Sequence, residues 1–312
     1  MSSPKIARAL IRPTLCGKAF LADVQAVRAG AATDPIPDTF QLWWLNQSAF
    51  LLHWCGHMLL LDPYLSDSLT QKYAATDKPH VRLTERVIDP GALSGVSLVT
   101  ASHAHTDHLD AATLRPLVAV NPGLVLVGPE ANRTIMGERS GLPDEQIVGL
   151  DTDPALGIAL STTVGPWTVH AIPAAHETLG TDAVGRHHYL GFVIQFGGFS
   201  VYHSGDTIQY PGMVERIRTW APQIVLLPIN GRTPERRVAG NLWGDEAAQI
   251  AFDVRATVAI PMHYDLFEFN TATPDTFVEA CQKLGQGYRI LQAGERWTAR
   301  LGDVSGGGGS RF

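Results

Sequence analysis

The sequence predicts an α/β (α+β) fold, an αββα sandwich of two mostly antiparallel or mixed sheets packed face to face with helices on the outer faces. Two observations predict it. Two stretches of short apolar strands, one near 40–63 and one near 158–204, each read as a meander, and each leads into alternating strands and helices. With 312 residues, 45% of them hydrophobic and 17% charged, the chain is long enough to enclose one large core.

In order along the chain, "AFLADVQAVRAG" sets Phe20, Leu21, Val24 and Val27 at helical spacing and stops at Gly30. Residues 1–37 are therefore expected to form a helical extension packed on the main domain, 38–302. "FQLWWLN", "AFLLHW" and "HMLLLDP" follow as strands broken at Asn46-Gln47 and Cys55-Gly56, with at least one of Trp43 and Trp44 in the core. Next come a strand at 96–102, a helix near 111–119, a strand at 124–128 and a helix from Glu130. Strands are then expected at 158–164, 167–172, 190–196 and 199–204, and a helix near 211–219. The strand "IVLLPI", a helix near 245–254, the strand "TVAIP" and a helix capped by Thr273 with Pro274 at its first position complete the domain. The glycine-serine run in 303–312 reads as a flexible tail.

Charge and cysteine content narrow the function. A net charge of −6 disfavours a nucleic-acid partner. Cys16, Cys55 and Cys281 are too few and too scattered for a disulfide framework or a thiolate zinc site, which fits a reducing compartment. No export signal and no run of about 20 apolar residues is present, so a soluble cytoplasmic protein with no membrane contact is expected, acting on a small molecule and open to forming homo-oligomers.

The chemistry is concentrated in "TASHAHTDHLDAATL", residues 100–114. With 12 His and 19 Asp in the chain, a specified His-x-His-x-Asp-His window arises by accident in roughly one such chain in a thousand. In an extended segment His103 and His105 fall on one side, while Asp107 and His108 turn towards a neighbouring point, a geometry suited to two metal ions side by side. His176 in "IPAAHE", Asp206 in "VYHSGDT" and His263 in "AIPMHYD" each follow a strand, as the first cluster does. Loops at one rim of a rigid sheet are where sites are commonly assembled.

The ordered set "HAHTDH", "AAHE", "HSGD" and "PMHYD" resembles the metallo-β-lactamase superfamily. Within it, "TFQLWWLNQSAFLL", "VYHSGDT", "AIPMHYDLF" and "LQAGERW" are similar to L-ascorbate-6-phosphate lactonase-like proteins over residues 38–300, and the segment 174–188 departs from them. The resemblance implies that His103, His105 and His176 hold one divalent ion, that Asp107, His108 and His263 hold a second, and that Asp206 bridges them. An all-nitrogen-and-oxygen set suits Zn or Mn. Asp110 is expected to orient a ligating histidine.

Two adjacent cations point to hydrolysis, with Asp107 or Asp206 positioning the nucleophile and passing a proton to the leaving oxygen. His203, His188 and Tyr264 are candidates for polarising or binding substrate oxygens. Arg232, with Arg236 and Arg237 in "NGRTPERR", is a candidate phosphate clamp, and His187 a candidate rim residue. Opening of a lactone, whether a sugar-phosphate lactone or another small cyclic ester, is the favoured reaction. Cleavage of a lipid or small-molecule phosphodiester is the alternative, and a non-catalytic metal-binding protein the third. β-Lactam and nucleic-acid hydrolysis rank below these.

Overall fold

A computed structural model describes residues 9–152 and 159–304. In chain order its elements are α1 (Gly17–Thr33), β1 (Thr39–Trp44), β2 (Phe50–Trp54), β3 (His57–Leu61), α2 (Ser68–Lys72), β4 (Val96–Thr100), α3 (Ala111–Val120), β5 (Val125–Pro129), α4 (Arg133–Ser140) and β6 (Ile147–Leu150). The second half supplies β7 (Ser161–Val164), β8 (Trp167–Pro173), β9 (Leu190–Phe196), β10 (Phe199–His203), α5 (Met213–Arg218), β11 (Ile224–Pro228), α6 (Gly244–Asp253), β12 (Val258–Met262), α7 (Asp275–Leu284), β13 (Arg296–Arg300) and α8 (Leu301–Val304).

The strands form two mixed sheets, ordered β13-β1-β2-β3-β4-β5-β6 and β12-β11-β10-β9-β8-β7. In each, an antiparallel part continues into parallel strands. The first sheet turns parallel at the β3/β4 pair and the second at β10/β11. Parallel neighbours deliver their C-terminal loops to the same rim, and this brings the loops after β3, β4, β10 and β12 together.

Alternation along the strands separates two cores. Leu42 and Trp44 of β1 join Leu52, Leu59 and Leu61 in the core they share with the second sheet, including Phe192, Val201 and Leu226. Trp43, Leu51 and Leu60 face the other way, onto Phe20 and Val24 of α1 and Leu114 and Leu117 of α3. Both tryptophans of the first strand are thus core residues. Burying Phe20 and Val24 contributes roughly 3–6 kcal/mol to docking α1. The bond from Trp43 Nε1 to the Asp23 carboxylate Oδ2, 2.8 Å long, adds a smaller contribution of about 1.5–3 kcal/mol. Apolar contact therefore dominates the attachment of this helix.

Several boundaries differ from expectation for local reasons. α1 runs three residues past Gly30, and its last turn closes through the Asp34 amide on the Gly30 carbonyl. Pro274, not Thr273, stands at the cap of α7, while the Thr273 hydroxyl donates to Asp275 Oδ2. A short 3₁₀ turn, Glu130–Asn132, precedes α4. β6 and β13 are strands the sequence reading did not anticipate. Of the run expected at 158–164, Ser161–Val164 is strand and residue 158 lies outside the described residues. So do residues 305–312 of the expected tail, whereas 303 and 304 end α8. Among the described residues no helix is long and apolar enough to cross a membrane.

Candidate metal centre

The β4 strand ends at Thr100, and the loop beyond it carries His103, His105, Asp107 and His108. Asp206 follows β10 by three residues, and close approach of that loop requires glycine at 205. There φ is +59°, and a Cβ would stand 2.5 Å from that of Ser102. His176 follows β8, and His263 directly follows β12 with φ +66°, a left-handed conformation for a non-glycine residue.

The side chains of these loops converge into three overlapping groups: His103, His105 and His176; His103, His108 and Asp206; and Asp107, His108 and His263. Within each group the ligating atoms lie within 4.8 Å of one another. Asp206 Oδ2 is 3.6 Å from His176 Nε2 and 3.3 Å from His263 Nε2, and Asp206 Oδ1 is 3.3 Å from His108 Nε2. The carboxylate therefore stands between the two triads that the sequence reading assigned to separate ions. His103 Nε2, His108 Nε2 and Asp206 Oδ1 are buried and have no hydrogen-bond partner. Buried polar atoms without partners are costly, and their convergence is the arrangement a cation would satisfy. The residues fit divalent-metal binding.

Electrostatics follow from crowding. Burial lowers the pKa of His103, with His108 and His105 adding to the effect, and burial lowers His176 as well. Burial also opposes the charged forms of His108 and His263, but Asp206 and Asp107 outweigh it. They hold His108 well above its ordinary value and His263 up to about 9. Burial would raise Asp107 and Asp206, yet the neighbouring imidazoles keep both far below the usual carboxylate range.

The supporting hydrogen bonds fix ring orientation. Asp62, just after β3, accepts from His108 Nδ1 at 2.7 Å and from the Ser102 amide at 3.0 Å. His176 Nδ1 donates to the Gly240 carbonyl at 2.9 Å. Gln47, in the β1–β2 turn, places Nε2 2.8 Å from Asp107 Oδ2 and 2.9 Å from His263 Nε2. Asp62 takes the orienting place expected of Asp110. The Asp110 carboxylate instead accepts from Ser66, Ser68 and Thr113 and caps α3, so it does not touch a ligating histidine.

His105, Asp107, His176, Asp206 and His263 line the floor of a cavity of about 640 Å³. Its remaining wall includes Tyr73, His80, Phe267 and Phe269, and Lys72, Lys78, Arg139 and Arg237 also reach it. Arg139, on α4, donates to the Ala104 and Leu109 carbonyls and so clamps the histidine loop.

Six residues expected to touch substrate are placed elsewhere. Tyr264 is buried, tilted against Trp44, and donates its hydroxyl to the Leu291 carbonyl, so it has no free oxygen to offer. His203 is fully buried and its Nε2 donates to the Ser48 carbonyl, which ties β10 to the β1–β2 turn. His187 is held by Asp151 through Nδ1 at 2.6 Å, and His188 lies 3.4 Å from Asn132 Oδ1; neither lines the cavity. Arg232 is paired through two 2.7 Å bonds with Glu246, and Arg236 donates to the Asn230 and Thr271 carbonyls. Of the three arginines, Arg237 alone reaches the cavity, where it pairs with Asp77.

The family model described as the beta-lactamase superfamily domain matches residues 57–264, two thirds of the chain and all seven candidate ligands. The chain belongs to this superfamily. It is 28% identical over 274 residues to a UPF0173 metal-dependent hydrolase of Aeropyrum pernix, covering 82% of this chain and 96% of the relative. A second metal-dependent hydrolase of that group, from Methanosarcina mazei, is 26% identical over 256 residues, with the same coverage of 82% and 96%. Among solved structures, Igni18, a metallo hydrolase from Ignicoccus hospitalis, superposes with a TM-score of 0.59 at 23% identity over 83% of this chain and 98% of that one. An isothiocyanate hydrolase from Delia radicum gut bacteria gives 0.66 at 16% identity, covering 84% and 99%. CmlA, a diiron β-hydroxylase from Streptomyces venezuelae, gives 0.60 at 17%, covering 86% of this chain and 55% of that one. At these identities the structures speak for the fold, which carries both hydrolases and a hydroxylase.

Proposed function

We propose that the protein is a metal-dependent hydrolase that uses two divalent ions, Zn or Mn, to open a small cyclic ester such as a lactone. The observation that carries the two-ion reading is the position of Asp206, with one carboxylate in contact with His176 on one side and His108 and His263 on the other. His103, His105 and His176 would hold the first ion, Asp107, His108 and His263 the second, and Asp206 both.

Held there, divalent cations would supply Lewis-acid chemistry, lowering the pKa of water towards ~7 and polarising the oxygen of the group under attack. The chain supplies the rest. Asp62 and Gly240 hold His108 and His176 through their Nδ1 atoms, so that Nε2 of each points inward without reorganisation. Asp107, ionised and lining the cavity, is placed to accept a hydrogen bond from the attacking water and so orient it. The cavity volume suits a small molecule. The lactone preference rests on the sequence resemblance to lactonase-like proteins. The cations Lys72, Lys78 and Arg237 at the cavity favour an anionic substituent such as phosphate, and they also support the second reading, a phosphodiester substrate.

A panel of simple lactones, phosphorylated lactones and bis-aryl phosphates, assayed with Mn- and Zn-loaded protein, separates the readings. Lactone opening is expected to be fastest. Efficient phosphodiester cleavage without lactone turnover would replace the first reading with the second, and failure to retain any metal under replete conditions would remove both.

A further inference from the structure

Gln47 sets its carboxamide against two of the seven candidate ligands, with Nε2 2.8 Å from Asp107 Oδ2 and 2.9 Å from His263 Nε2. Both belong to the triad assigned to the second ion. The residue is fully buried, and its backbone is committed: φ is +51°, and its carbonyl accepts from the His263 amide at 3.0 Å and from Trp44 Nε1 at 3.0 Å. Asn46 beside it, with φ +84°, accepts the Gln47 amide on its own side-chain oxygen. A turn strained at two consecutive non-glycine positions therefore holds one carboxamide against the edge shared by Asp107 and His263.

The carboxamide itself is poorly satisfied there. Its nitrogen serves the Asp107 carboxylate, while Oε1 is buried with no partner. An amide oxygen left bare in a protein interior is costly, yet the same oxygen is a good donor to a hard cation. Exchanging the two ends of the carboxamide puts Oε1 where Nε2 now stands, within reach of an ion held by Asp107, His108 and His263.

We propose that Gln47 is an additional oxygen ligand of the second ion, turning its carboxamide onto the metal when that site fills. This rests on the two-ion reading and deepens it. With Gln47 the second site has two histidine nitrogens and three oxygens, from Asp107, Asp206 and Gln47. That balance favours a five- or six-coordinate ion such as Mn over tetrahedral Zn, whereas the histidine-rich first site has no such bias.

The test reads metal binding, with no substrate. Chelator-treated protein is titrated with Mn, and separately with Zn, by calorimetry, and second-site Mn is followed by electron paramagnetic resonance. Wild type, Gln47→Leu and Gln47→Glu are compared, with circular dichroism as the check that each is folded. Gln47→Leu should weaken the second Mn by about tenfold or more and leave the first ion within roughly twofold. Gln47→Glu, which keeps an oxygen but cannot donate to Asp107, should bind the second Mn at least as well as wild type. Unchanged affinities in both variants would overturn the inference while leaving the two-ion reading intact. Loss in both would overturn it too, by showing that Gln47 acts only as a donor to Asp107. A wild-type chain that takes up one ion alone would remove the second site, and with it both the inference and the two-ion reading.

Discussion

Asp62 and His108 form a carboxylate–imidazole pair, 2.7 Å from Oδ2 to Nδ1, with both side chains wholly buried. The pair sets which ring nitrogen of His108 faces the centre, because Nδ1 carries the proton given to Asp62 and Nε2 is left to bind. Asp62→Asn should weaken metal binding by roughly 10- to 100-fold. Competition with a chelator of known affinity measures this; retention of wild-type affinity would show that His108 is oriented by packing alone.

The pH dependence of metal-stripped protein follows from the raised and lowered groups. His263 has a folded pKa of about 9, above its unfolded value near ~6.5, so its contribution to stability is complete below about 6.5 and disappears as pH rises through about 9. His108 acts in the same direction. Asp107 and Asp206 have depressed values, so their contribution is present above about 4 and is lost as pH falls below it. Calorimetric Tm values of stripped protein should therefore fall between pH 6.5 and 9.5, and a rise over that interval would contradict the charge assignment. Metal binding at pH 7 should release protons from His108 and His263, detectable as a dependence of binding heat on the buffer's ionisation enthalpy.

Removing Asp206 should affect both ions at once. Asp206→Ala is expected to fold, to retain fewer than two metal ions per chain, and to lose hydrolysis by about three orders of magnitude or more. Metal content by plasma emission and turnover on the responsive member of the substrate panel are the two readouts. Full turnover in a metal-loaded variant would rule out a shared carboxylate.

Arg232 and Arg237 should behave differently despite lying five residues apart. Arg232 is matched by Glu246 and does not reach the main cavity, so Arg232→Ala should leave KM within about twofold and cost less than about 1 kcal/mol in denaturant unfolding. Arg237 is also paired, with Asp77, but that pair lies in the cavity wall, so Arg237→Ala should raise KM for a phosphorylated substrate by roughly 3- to 10-fold, with little effect on its uncharged analogue. A larger effect at Arg232 would restore it as the anion contact.

Tyr264→Phe separates structure from catalysis at the residue after a candidate ligand. The loss of the bond to the Leu291 carbonyl should lower stability by about 1–2 kcal/mol, with kcat essentially unchanged. A fall in kcat of tenfold or more, without loss of metal, would show that the hydroxyl takes part in the reaction.

What the sequence disclosed was the part of the site that is local. Four candidate ligands lie within six residues, a spacing too rare to be idle, and the other three follow strands whose apolar runs are plain. The two-sheet architecture was legible for the same reason: alternation and turn residues are properties of short windows. Asp62 and Gln47 were not legible because each is a single polar residue beside an apolar strand. Their roles depend on the parallel β3/β4 register and on the approach of the β1–β2 turn to β12. Asp110 was misread for the converse reason, since nearness in sequence to the histidines suggested a contact that helix capping claimed instead. β6 and β13, four and five residues long, carry too little pattern to stand out alone. Tyr264 and His203 drew attention by adjacency to ligands, and burial of their polar atoms against backbone carbonyls settles their placement.

The pairing of Thr39 with Arg300 closes the first sheet between the two ends of the domain. During synthesis β1 therefore waits for a partner made some two hundred and sixty residues later, with one edge of "TFQLWW" bare and adhesive in the meantime. The β13 strand is then a late-arriving cover as much as a structural member. A chain ending before Arg296 should accumulate as aggregates even though it contains every candidate metal ligand, and size-exclusion chromatography of that truncation would reveal it; a monomeric, metal-binding truncation would show that β1 is protected by other means.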